Sequence, residues 1–359
     1  MEPTVPFRHA LRGGRRPQIL LLGNGLERAC GGDDWKKLLN RVDVRYTDGN
    51  GNVLKQYEAE RKRLEDALPF PLLYELLATL PHSPAQLTPE ELDAEEQRLV
   101  AMMKELLAAP IDIDWKYQLF KELPNLGMDH IFTTNYSYIP EKAFWPRGSF
   151  AQPRNRSRFR FHFGTETNQV GKRKRELHYR LHTGYRFRTA DRPVGIWHIH
   201  GECSVPGGVV VGHDRYGRLL TRIVNCCGEI DFEERVKDKP HYDFRSWPEL
   251  FLFGDIYVLG FGFADCEFDL WWLLRRKQRE KYGDGWVYYY DHDPANARDA
   301  HQLLLEAHGV KMLRNPFSDG RKESFKDFYA EALKDIRKRI ICRREAEESS
   351  NAPILYESI

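Results

Sequence analysis

The chain has 359 residues, 41% hydrophobic and 30% charged, which is the chemistry of a globular protein and excludes a disordered or fibrous one. Lys and Arg number 55 against 53 Asp and Glu, so the whole-chain charge of +2 gives no reason to invoke nucleic acid or a membrane surface. Six cysteines without a C-x-x-C pair argue against a disulfide framework and a zinc ribbon, and no apolar run approaches a membrane span or a signal core. A reducing cytoplasm and no bound metal are therefore expected.

The first predicted strand is Ile19-Leu20-Leu21-Leu22, a continuous apolar run of the kind buried on both faces, ending at Gly23-Asn24-Gly25. A helix is expected to follow from near Trp35, capped by Asp33-Asp34, with Leu38, Leu39 and Val42 on one face. Residues 53–121 carry leucines and methionines at helical spacing and read as a helical insertion, with a helix start at Thr88-Pro89-Glu90-Glu91. Met128 to Thr134 reads as a short buried strand running into Thr134-Asn135-Tyr136. Residues 147–192 are strongly basic and alternate Arg with aromatic residues in places, as in Arg158-Phe159-Arg160-Phe161, which suggests exposed strands or a hairpin.

Val194 to His200 is a further core strand ending in His200-Gly201, and alternation places His198 on the same face as His200. Asp255 to Leu259 runs into Gly260-Phe261-Gly262 and then a helix carrying Phe268, Leu270, Trp271, Leu273 and Leu274, which repeats the strand, glycine loop, helix plan. Trp286 to Tyr290 precedes Asp291, a helix is expected over Ala295 to His308, and Val310 to Leu313 is the last strand candidate. Phe325 to Glu347 reads as an amphipathic helix. Strands alternating with helices predict an α/β fold with a doubly wound, Rossmann-like parallel sheet. Its expected extent is residues 17–315, including both insertions, with a C-terminal helix over 322–347.

Ligands of such sheets bind outside the carboxyl ends of the strands. Four polar or glycine-rich ends occur here: Gly23-Asn24-Gly25, Thr134-Asn135-Tyr136, His200-Gly201 and Gly260-Phe261-Gly262. Each alone is weak; their coincidence is informative. With Trp35 after the first, Thr133 before the second, Trp197-His198-Ile199 before the third and Phe263-Ala264-Asp265 after the fourth, the chain resembles the sirtuin-like (SIR2-like) family. It looks most like bacterial SIR2-like NAD⁺ hydrolases of antiviral defence, including those paired with a HerA-type ATPase. It departs from sirtuin deacylases, because Ser137 stands where they carry an acidic residue, Asn24 replaces an alanine, and their zinc cysteines are missing.

The resemblance implies cleavage of the bond between nicotinamide and ribose. Asn135 is the candidate to orient nicotinamide or water, and His200 the candidate base, with His198 supporting. Gly23, Asn24, Gly25, Thr134, Gly201, Gly260 and Gly262 are candidate NAD⁺ contacts, and Asp291 a weaker one for the adenosine end. Asp265 reads first as a helix cap. Two other activities stay open: nucleic-acid binding through the basic segment, tested by its salt dependence, and protein deacylation, tested by release of acetylated-lysine products. An unregulated NAD⁺ hydrolase would drain its own cell, so assembly with itself or an ATPase partner is expected to gate it. The basic segment and the apolar stripe of the C-terminal helix are the candidate surfaces.

Overall fold

The computed structural model describes residues 16–32, 35–48, 50–78, 88–148, 150, 153–162, 180–190, 192–228, 244–280, 285–292, 299–314 and 324–350. Eight strands form one sheet: β1 (Gln18–Leu22), β2 (His130–Thr133), β3 (Arg160–His162), β4 (Thr183–Arg188), β5 (Pro193–His198), β6 (Asp255–Leu259), β7 (Val287–Asp291) and β8 (Val310–Arg314). Their spatial order is β3-β4-β5-β2-β1-β6-β7-β8. From β5 to β8 neighbouring strands pair parallel, while β3 and β4 pair antiparallel on one side. Counted in chain order, the parallel strands lie 3-2-1-4-5-6, the doubly wound arrangement whose order reverses beside β1. The α/β expectation therefore holds.

Burial on both faces explains why the central strands are apolar without a break. In β1, Ile19 and Leu21 join one core while Leu20 and Leu22 join the other, and β6 divides likewise between Ile256 and Val258 and Tyr257 and Leu259. Helices cover both faces. Between β1 and β2 lie α1 (Asn24–Ala29), α2 (Trp35–Val42), α3 (Glu58–Ala67), α4 (Phe70–Ala78) and α5 (Pro89–Ala108). Helix α2 begins at Trp35 as the sequence pattern predicts, a further short helix, α1, starts inside the glycine loop, and the capping pair Asp33-Asp34 lies outside the described residues.

The basic segment holds the expected antiparallel strand pair, β3 with β4, but begins with a helix and joins its strands to the main sheet. Pro153–Phe159 is a helix, β3 and β4 are strands of the main sheet, and residues 163–179 lie outside the described part. Among the described residues, four of its arginines are engaged within the chain: Arg160 and Arg180 reach Glu202 at 3.0 and 2.6 Å, Arg192 reaches Asp129 at 3.1 Å, and Arg186 lies over the Phe161 ring. Those four guanidinium groups are engaged within the protein, whereas Arg147, Arg154, Arg158 and Arg188 are exposed.

The long helix Phe325–Ser350 is present, yet its apolar stripe is already covered. Phe328, Leu333, Ile336 and Ile340 are at most 1% exposed and belong to the core cluster that contains Leu20 and Tyr257. An apolar face buried against its own sheet is not open to self-association, so the stripe is withdrawn as an assembly surface. Among the described residues no helix is long and apolar enough to cross a membrane. All six cysteines are free.

Candidate active site

At the carboxyl end of β1 the chain turns sharply into α1, and the loop after β6 packs against it. The Gly23 and Gly25 amides donate to the Leu259 and Gly260 carbonyls at 3.0 and 2.7 Å. A side chain at Gly23 would put its Cβ 2.4 Å from the Gly260 carbonyl oxygen, and one at Gly25 would come within 2.7 Å of the Gly260 Cα. These glycines thus serve loop-to-loop contact, and the two amides are engaged within the protein. Gly260 itself adopts φ +68°, where a side chain would be strained.

The open space lies to the other side, over β1 and β2. A cleft of about 200 Å³ is bounded by Asn24, Glu27, Asn135, Tyr136 and Ser137 at the strand ends and by Arg41, Leu106, Ile111, Lys116 and Tyr117 from the helical part. That is smaller than the ~300–1,000 Å³ typical of whole small-molecule sites, so it would hold only part of a ligand of that size. Asn24 and Asn135 are the sequence candidates it contains.

Asn135 is 4% exposed and tightly fixed. Its amide nitrogen donates to Glu27 Oε1 at 2.7 Å and to the Gly23 carbonyl at 3.3 Å, while its backbone N–H donates to Thr133 Oγ1. Two acceptors on the amide nitrogen define which end of the amide is which and leave Oδ1 as its remaining acceptor. Ser137 Oγ donates to the same Glu27 oxygen at 2.9 Å. Burial pushes the Glu27 carboxyl up to about 7, against the lowering effect of its bonds with Ser137 and Asn135.

The two histidines separate. His198 closes β5 and sits opposite Thr133 on β2. One ring nitrogen lies 2.9 Å from the Asn135 carbonyl oxygen and the other 2.7 Å from Glu141 Oε1. Burial alone would lower the His198 pKa, but the Glu141 carboxylate raises it to about 9. His200 follows the end of the strand and lies instead against Asp269 at 3.0 Å and Glu267 at 3.6 Å, with the Tyr216 ring beside it. The shared-face expectation fails because strand alternation stops at His198. His200 is not among the residues lining the cleft.

His200, Glu267 and Asp269 also form a group whose donor atoms lie within 4.8 Å of one another. Each carboxylate faces a different ring nitrogen, the geometry of an ion triad, whereas a single cation binds one ring nitrogen. The remaining candidates are scattered. Thr134 is buried with its amide on the Leu22 carbonyl, and Gly201, at φ +94°, borders a separate small cavity with His198 and Glu202. Gly262 has open space around it, and Asp291 accepts a bond from Gln302 at the end of β7. Glu27, Glu141, Glu267 and Asp269 were missed by the sequence reading; only Glu27, in the turn after a glycine loop, carried a local signal.

A pH dependence of stability follows from the His198 and Glu141 pair. The His198 pKa is raised in the fold above its value near 6.5 in the unfolded chain, so its stabilisation is complete below about 6.5 and lost as pH rises through about 9. Thermal unfolding should show stability falling on the order of a few kcal/mol across that window, and His198→Gln should flatten the fall. An equally steep fall in His198→Gln would assign it to other groups.

A family model described as the SIR2-like domain matches residues 129–313, from the start of β2 into β8. The first strand and its glycine loop precede the match. No curated protein gives a significant match to the chain.

Proposed function

The chain belongs to the SIR2-like domain family, and on that premise we propose that it hydrolyses NAD⁺ to nicotinamide and ADP-ribose. SIR2-like domains use NAD⁺ as substrate. The observation that carries the hydrolase reading is the Asn135 amide, buried and fixed in orientation on a cleft at the carboxyl ends of β1 and β2. As nicotinamide departs with the bonding electrons, C1′ of the ribose gains oxocarbenium character and a water adds to its open face. Asn135 Oδ1 accepts a hydrogen bond from that water or from the nicotinamide amide and thereby fixes the reacting geometry. The charged His198 ring supports the Asn135 backbone carbonyl from behind. His200, with each ring nitrogen facing a carboxylate and the residue outside the cleft's lining, is assigned the support of the β5 end.

The same reading makes the protein an effector of antiviral defence whose activity is gated by assembly, either with further copies or with an ATPase partner. The covered stripe of the C-terminal helix leaves that gate to other surfaces. The test is incubation of the purified chain with NAD⁺, following nicotinamide release and product mass across protein concentration. Nicotinamide and linear ADP-ribose in equal amounts, at a specific rate that rises with concentration, are expected. Intact NAD⁺ throughout overturns the hydrolase reading, and a dilute monomer with full activity overturns the gate.

A further inference from the structure

We propose that Glu27 is the proton acceptor of the cleft, taking the proton of the attacking water on its Oε2; this rests on the reading of the chain as an NAD⁺ hydrolase. Among the described residues, both side-chain donors to Glu27, Asn135 at 2.7 Å and Ser137 at 2.9 Å, bind Oε1. That leaves Oε2 as the oxygen without a protein donor, on a residue that lines the cleft. One carboxylate thus holds the Asn135 amide in place and offers a lone pair beside it.

A purely structural role fits poorly. Glu27 is 8% exposed, and among the described residues no Lys, Arg or His forms an ion pair with it. A buried carboxylate with no direct ion-pair partner is costly, even with the His198 charge acting on it through space, and a neutral Gln would satisfy the same two donors. Burial also moves the group to about 7, where it is shared between acid and base forms near neutral pH and suits a general base. The rival base, His200, has a carboxylate facing each ring nitrogen.

The step balances. The water oxygen forms the new C1′–O bond, nicotinamide leaves with the electron pair of the C1′–N bond, and the water proton passes to Glu27. Release of that proton to solvent completes the reaction to nicotinamide, ADP-ribose and one proton.

The experiment compares the full chain with E27Q and E27D for NAD⁺ binding by calorimetry, nicotinamide release from pH 5 to 9, and thermal unfolding. E27Q keeps an acceptor for Asn135 and Ser137, so it should melt no lower than wild type, bind NAD⁺ with similar affinity, and lose about a hundredfold or more in kcat. The acid limb of the wild-type rate profile, centred near 7, should vanish in E27Q and persist in the slower E27D. An active wild type with an E27Q variant of equal kcat overturns the proposal. So does an E27Q defect confined to KM and melting temperature. If E27Q does not fold, an E27D profile without the acid limb overturns it instead. A wild type that binds NAD⁺ but releases no nicotinamide overturns the hydrolase reading itself, a result distinct from those concerning Glu27.

Discussion

Asn135→Ala is expected to lower NAD⁺ cleavage by about 10² to 10³-fold, the usual consequence of removing one preorganised polar contact at a reacting centre. Alanine removes the amide that joins Gly23 to Glu27 through bonds of 3.3 and 2.7 Å. The contacts made by its backbone, to Thr133 Oγ1 and from His198, need no side chain and should persist. The chain should therefore stay folded while the cleft loses its fixed acceptor. The check is kcat for nicotinamide release beside a melting curve. Wild-type turnover in a folded Asn135→Ala variant would remove Asn135 from the chemistry, and loss of both activity and folding would make its role structural.

His200→Ala should act the other way, on stability first. The ring is 2% exposed and lies between the Asp269 and Glu267 carboxylates, which raise its pKa although burial by itself would lower it. Breaking a buried ion pair by deleting one partner costs about 3–5 kcal/mol, because the remaining charge has no compensation. Glu267, which burial pushes up to about 7, offsets part of this by holding a proton. The sign with pH follows from a raised histidine: the pair stabilises most below about 6.5 and progressively less as pH rises through the higher folded-state value. Denaturant unfolding at pH 6 should show the deficit at its largest, and adding Asp269→Asn to His200→Ala should recover part of it. A His200→Ala variant of unchanged stability that has lost NAD⁺ cleavage would instead assign His200 to catalysis.

Much of the scaffold was legible from residue order. Ile19 to Leu22 and Ile256 to Leu259 are unbroken apolar runs because both faces of a central parallel strand are buried, and each is followed by glycines where two loops meet at backbone distance. These are local properties of a strand and its exit, so they can be read along the chain. The class of sheet followed from their alternation with helices. Asn135 was also named a candidate this way, at the end of a short buried strand.

Which side chains meet was decided by the tertiary structure. Glu27 and Asn135 are 108 positions apart and touch because β1 and β2 become neighbours in register, bringing Leu22 beside Thr133. Ser137, which in the sequence offers only a hydroxyl, gains a carboxylate through space from Glu27. His198 and His200 part because the strand ends between them, an event that alternation cannot report. Arg160 and Arg180 of the basic segment and the stripe of the last helix looked free in the sequence. A charge or an apolar face in a sequence does not name its partner, and folding supplied one for each from distant positions: Glu202 for Arg160 and Arg180, and the core around Tyr257 for Phe328 and Ile336.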